Sequence, residues 1–288
     1  MANTITLKRR IGSVKNTRQI TKAMELVAAS KMRRAQDYAA QGRTYREFAY
    51  SLLTRLSAIT EVDEHPLFRK REVKRCLYII VTSNQGLAGA YDSNVIRMLT
   101  RSVIADDEKG ISSQVIAIGK KGAQFARSVE KLNLIAAYTE MPTQPTANDI
   151  RPILSSAIEL YQNEQVDDVK MLYTNFKSNL VQEATQLSLL PAIFEATEED
   201  SSIFNMTFEP SIESVLDNVA ERLLEVQVWQ AILESTASEQ SMRMMAMKNA
   251  TDNANDLIDD LTLAFNTARQ AAITQELAEI TGGAEAIK

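Results

Sequence analysis

Residues 237–283 read ASEQSMRMMAMKNATDNANDLIDDLTLAFNTARQAAITQELAEITGG. Neither proline nor glycine interrupts the chain from Ser211 to Thr281, and Gly282 with Gly283 then supplies a stop. Proline inside a helix costs about 3 kcal/mol and glycine about 1, so a run free of both predicts one very long helix. Ala250, Ala254, Leu257, Leu261, Ala264, Ala268 and Ala271 advance by alternating four and three residues, flanked by Ile258, Phe265 and Ile280. That is the seam of a helix packed on a partner along its length, and its small residues let the two axes approach closely.

The partner is expected at the other end of the chain. Pro66, Pro142, Pro145, Pro152, Pro191 and Pro210 are all six prolines, so residues 1–65 carry none and have only Gly12 and Gly42 as weak points. The seam here is Met24, Ala28, Lys31, Ala35, Tyr38, Gly42, Tyr45, Ala49, Leu52, Leu56 and Ile59, broken only by Lys31 and Gly42. Helices covering most of the two arms would be roughly 80 to 100 Å long at 1.5 Å per residue. Residues 1–36 hold nine Lys or Arg and one acid, net +8, whereas residues 211–288 hold thirteen acids and five bases, net −8. Exposed ion pairs contribute about 0 to 1 kcal/mol each, so charge would set orientation while apolar burial supplies stability.

Between residues 66 and 210 the pattern changes to short β-rich runs at 74–82, 113–119, 132–138 and 169–176, with a further strand at 182–190. Helical stretches at 94–104, 121–131 and 149–163 separate them, which predicts a mostly parallel sheet covered by helices. Phe204, Met206 and Phe208 alternate with polar residues as a short edge strand would, and residues 195–200 form an acidic surface loop. The fold class is α/β: an antiparallel coiled coil of the terminal helices (1–65 and 211–288) with a Rossmann-like domain at 66–210.

Composition excludes most chemistry. One cysteine, Cys76, cannot form an intrachain disulfide, and with the single His65, a linker residue before Pro66, it leaves almost nothing for a metal site or a Cys/His nucleophile. The net charge of −5 argues against nucleic acid, and no apolar run approaches the roughly 20 residues of a membrane span. Residues 1–10 lack the apolar core of a secretory signal. The loop SNQGLAGA at 83–90 sits where Rossmann folds cradle phosphate, but lacks both G-x-G-x-x-G and the P-loop spacing, and reads as a tight turn. Asp167 and Asp168, like Asp259 and Asp260, are neighbours that face different directions, not an acid/base pair. Met242, Met244, Met245 and Met247 read as an adaptable packing surface. No catalytic residue, metal or cofactor is implied.

Two stretches, LKRRIGSVKNTRQITKAMELVAASKMRRAQ at 7–36 and the one quoted first, closely resemble the γ subunits of bacterial F-type ATP synthases, with a weaker match at TSNQGLAGAYDSNV. The resemblance implies a non-catalytic central-stalk rotor that couples ion flow to ATP synthesis or hydrolysis and regulates ATPase activity. Its implied partners are the α, β and ε subunits and the membrane c-ring, and its place is the cytoplasmic side of the cell membrane, peripherally. Lys22, Ala23, Met24 and Glu25 match the KAME motif that faces the lever of a β subunit. Arg269 and Gln270 match the ARQA motif that makes a catch with β loops, followed by Thr274 and Gln275, while Lys8, Arg9 and Arg10 fall where the family presents positive charge to acidic β segments. Asn84 and Gln85 replace the Asp-Arg pair frequent before the central glycine, and a lone Cys76 cannot serve as the plastid branch's redox switch. The alternatives are a coiled-coil scaffold without rotary function and an enzyme built on the α/β domain.

Overall fold

A computed structural model describes residues 4–59, 66–142, 145–192 and 212–286, with side chains throughout except at 41–59, 212–217 and 285–286. The expected edge strand at Phe204, Met206 and Phe208, the 195–200 loop, His65 and the seam from Gly42 to Ile59 lie outside the described residues or side chains. In chain order the elements are α1 (Thr4–Ile59), β1 (Arg75–Val81), α2 (Tyr91–Glu108), β2 (Ser112–Ile118), α3 (Lys120–Ser128), β3 (Asn133–Tyr138), α4 (Ala147–Gln162), β4 (Asp168–Phe176), β5 (Gln182–Leu190) and α5 (Ile212–Ala286). The chain divides into two compact units, residues 29–242 and residues 1–28 with 243–288.

The larger unit is built on a five-stranded sheet of order β3-β2-β1-β4-β5, parallel except for β5. The central β1 is buried on both faces from Cys76 to Val81, and that run is continuously apolar. Alternation along it separates two cores: Leu77, Ile79 and Val81 meet Ile150, Ile153 and Ala157 of α4 and Leu223, Leu224 and Val228 of α5, while Cys76, Tyr78 and Ile80 meet Val95 and Leu99 of α2 and Ala123 of α3. Asp149, in the first turn of α4, turns its carboxylate onto the N–H and hydroxyl of Thr146, both at 2.7 Å. Those bonds hold its pKa below the usual carboxylate range. Pro152 sits inside α4, one turn past its start.

In the smaller unit α1 and α5 pair antiparallel. Thr21 Oγ1 and Thr251 Oγ1 lie 2.8 Å apart and buried, and Arg18 Nη1 donates to Asn255 Oδ1 at 3.2 Å. The numbers rise on one helix as they fall on the other, which fixes the antiparallel sense. The seam differs from the expected one. On α5 the buried or half-buried row is Met247, Thr251, Ala254, Ile258, Leu261, Phe265, Ala268 and Ala272, whereas Leu257, Ala264 and Ala271 are exposed. Ile258 and Phe265, read as flanking, occupy the seam because they bury more apolar area than the alanines beside them. On α1, within the larger unit, Met32 is buried and Lys31 exposed, since an ammonium cannot be buried unpaired.

Candidate functional site

In a doubly wound sheet the ligand crevice opens at the carboxyl ends of the strands where the winding reverses, here between β1 and β4. This chain fills that crevice with its own groups. Ser83 N–H and Oγ–H donate to the two carboxylate oxygens of Asp92, at 2.8 and 2.6 Å, so an anion already occupies the turn at the start of α2. At α3 the first amides are also taken: Lys120 N–H by Asn84 Oδ1 at 3.0 Å and Gly122 N–H by Thr82 Oγ1 at 2.8 Å. The first amides of α3 are therefore satisfied internally, and a carboxylate of the chain itself stands at the turn before α2. Asn84, one of the departures from the family pattern, has this structural role.

The rest of the crevice belongs to α5. Pairing of β1 with β4 ends at Ile80 opposite Leu172, and two residues further on Thr174 turns to α5 for partners. Its N–H donates to Ser235 Oγ at 3.3 Å and its C=O accepts from Ser238 Oγ at 3.1 Å. Ser235 Oγ also meets Tyr91 Oη at 2.7 Å. Ser241 Oγ donates to Asn179 O at 3.1 Å and accepts from Gln182 Nε2 at 3.2 Å. Sequence reasoning missed this row; the only signal was serine at every third position, 235, 238 and 241, of a helix otherwise rich in apolar residues.

Other ionisable groups are tied up structurally. Asp167 Oδ2 accepts from the N–H groups of Lys74 and Arg75, and Asp168 pairs with Lys170 at 2.8 Å. Burial alone would lower the Lys170 pKa, but the bond to Asp168 together with the neighbouring Cys76, Asp168 and Asp106 outweighs it and the pKa rises. Tyr78 donates to Asp106 at 2.6 Å, and burial followed by that bond raises the phenol's pKa. Burial pushes the Cys76 thiol up to about 12. A groove beside α5 is lined by Tyr38, Pro145, Thr146, Val226 and Trp229, and its acid, Glu225, is held by Arg151 and Arg222. No cluster of three metal-ligating side chains occurs among the described residues.

The residues singled out in the sequence as a partner surface lie on the smaller unit, at three levels. Lys8, Arg9 and Arg10 are exposed on α1. About 20 Å further along the helix, Lys22 and Ala23 are exposed and Met24 and Glu25 half-buried beside the Thr21–Thr251 layer. Lys22 Nζ bonds both carboxylate oxygens of Glu25 at 3.1 Å. Arg269, Gln270 and Thr274 are exposed on α5, where Thr274 Oγ1 donates to Gln270 O at 3.0 Å. Every residue from Ile273 to Ala284 is exposed, Ile273, Leu277 and Ile280 included, so this stretch has apolar groups with no cover among the described residues. The structure does not bring the three levels into one pocket; it spreads them along a helix pair, as suits contact with large partners rather than a small ligand.

Known proteins of one family match the chain over nearly its whole length. A family model described as ATP synthase matches residues 3–287. The ATP synthase gamma chain of Brevibacillus brevis is 41% identical over 281 residues, covering 97% of both chains. That of Heliobacterium modesticaldum is 40% identical over 288 residues, covering 98% of both. Among solved structures, the central stalk and c-ring of the Tetrahymena thermophila mitochondrial ATP synthase contains a chain 26% identical, with a TM-score of 0.59 over 80% of this chain and 99% of that one. A chain in the F1/c-ring assembly of Euglena gracilis, at 17% identity, shares the fold with a TM-score of 0.68 over 99% of this chain and 94% of that one.

Proposed function

The chain belongs to the ATP synthase gamma-chain family, and from that premise we propose that it works as a non-catalytic rotor of the central stalk, coupling ion flow through a membrane sector to ATP synthesis or hydrolysis in partner subunits. The observation that carries the reading is the antiparallel pairing of the two ends of the chain through Thr21–Thr251 and Arg18–Asn255, in a chain whose family match runs from residue 3 to 287. In this division of labour the two arms, 1–65 and 211–288, supply the shaft and residues 66–210 the foot domain. The α and β subunits surround the shaft, and ε and the c-ring meet the foot. No helix among the described residues is long and apolar enough to cross a membrane. The attachment we propose is peripheral, on the cytoplasmic side, as the family resemblance implies.

The physical requirement on such a rotor is differential contact. A partner changes conformation only by the difference in its interaction with the rotor between two states, and moving an equilibrium from 1:99 to 99:1 takes about 5.5 kcal/mol. Exposed charge pairs contribute about 0 to 1 kcal/mol each, so no single residue suffices. Lys22, Ala23, Met24 and Glu25, then Lys8, Arg9 and Arg10, and finally Arg269, Gln270 and Thr274 act at successive levels as rotation presents them to each β subunit. Regulation of ATPase activity follows from the same contacts, since any that favours one rotor angle slows departure from it.

The test is reconstitution with α and β subunits. Rotor function requires that this chain restores ion-coupled ATP synthesis to an assembly lacking its gamma chain, and that Arg269→Ala with Gln270→Ala lowers that synthesis while the chain still folds. Recovery of this chain only in assemblies without α and β would favour the scaffold, a reading that has no support among the relatives.

A further inference from the structure

We propose that Ser235, Ser238 and Ser241 form a rotational lock between α5 and the sheet, through which torsional load passes from one to the other; the inference rests on the rotor reading. Apolar packing holds the two together, with Leu223, Leu224, Val228, Ala231 and Ile232 of α5 buried in the core between sheet and helix. Such packing already resists both separation and rotation, because the buried face must leave the core for the helix to turn. Hydrogen bonds weaken steeply as their angles open, so they add a directional resistance to rotation.

The serine row supplies them where the sheet can least yield. All three serines are fully buried. Ser235 and Ser238 take the N–H and the C=O of Thr174 beyond the end of β1, as a neighbouring strand would. Ser235 reaches Tyr91 at the start of α2, and Ser241 reaches the hairpin between β4 and β5 at Asn179 O and Gln182 Nε2. Three separate parts of the domain thus grip one face of α5 over residues 235–241. A rotation of α5 would break the set together and strand a buried backbone N–H and C=O. From this grip α5 continues as helix to Ala286. The lock therefore sits on the element that bears Arg269 and Gln270.

The experiment compares wild type, the double variant Ser235→Ala with Ser238→Ala, and Tyr91→Phe, each assembled in the full complex in liposomes. ATP hydrolysis and ATP-driven ion-gradient formation are measured on the same preparation, with a melting curve for each chain. The lock predicts hydrolysis close to wild type and a loss of gradient per ATP hydrolysed, larger for the double variant than for Tyr91→Phe. An unchanged ratio, with only a lower melting temperature, would make the serines ordinary packing residues and overturn the proposal. If the double variant does not assemble, Tyr91→Phe decides, because it removes one bond to Ser235 and leaves α5 unaltered. Failure of the wild-type chain itself to couple hydrolysis to a gradient would instead overturn the rotor reading, and the lock with it.

Discussion

Replacing Gly119 by alanine is predicted to destabilise the α/β unit far more than the same change at Gly110, and the comparison separates two costs. Both glycines have positive φ, +98° at Gly119 and +73° at Gly110, so alanine at either pays a backbone penalty of about 1 to 2 kcal/mol. At Gly110 nothing lies within 4 Å of the added methyl. At Gly119 that methyl would stand 2.1 Å from Thr82 O and 2.8 Å from Thr82 Oγ1. Thr82 cannot retreat easily, because its N–H bonds Ile118 O and its hydroxyl oxygen accepts Gly122 N–H. Overpacking of this kind adds roughly 1 to 3 kcal/mol, for a total of about 2 to 5. At about 2 to 4 °C per kcal/mol, the melting temperature should fall by roughly 4 to 20 °C for Gly119→Ala and roughly 2 to 8 °C for Gly110→Ala. Urea and thermal unfolding can be followed by the fluorescence of Trp229, the one tryptophan, whose indole N–H donates to Pro145 O at 2.7 Å. Equal losses in the two variants would refute the assigned contact between α3 and the end of β1.

Tyr78→Phe leaves Asp106 buried with only Ser113 Oγ at 3.5 Å, and loss of the bond to the carboxylate is expected to cost about 1.5 to 3 kcal/mol; an unchanged urea midpoint would count against it. Glu225 is partly buried, which raises its pKa, but Arg151 and Arg222 override this and the pKa is lowered. Its contribution is thus complete above the unfolded-state value and lost as pH falls through the folded one. Glu225→Gln should cost about 1 kcal/mol at neutral pH, a deficit that vanishes in acid, and a deficit independent of pH would be the contrary result. Cys76, fully buried with its thiol pushed up to about 12, should react with a disulfide reagent at pH 8 only after unfolding in urea; rapid stoichiometric reaction of the native chain would contradict its burial.

Much of the fold was legible because it rests on the strongest sequence signals. Cys76–Val81 is an unbroken apolar run and became the central strand; the proline-free arms became α1 and α5, which run on through Gly12, Gly42, Gly282 and Gly283. Seam registration was not legible. An alanine-rich helix offers several rows with four-three spacing, and Ala250 competes with Thr251 on composition alone. Thr251 goes inside because its hydroxyl can be satisfied there, with Met247 O at 2.8 Å and Thr21 within reach, which depends on the other helix. The serine row was hidden for the same reason, since serine is usually a surface residue and its partners lie 61 and 64 positions away. Lys8, Lys22, Arg269 and the other exposed interface candidates carry no packing requirement of this chain, so only family resemblance singled them out.

The rotor account is tested most directly by watching the chain turn. Lys109 is exposed, and with Cys76 buried a Lys109→Cys variant takes a single optical probe. With the α and β subunits of the assembled complex anchored to a surface and ATP supplied, the account predicts unidirectional, stepwise rotation of the probe that stops when ATP is withdrawn. A probe that keeps one orientation while ATP turnover continues would contradict it.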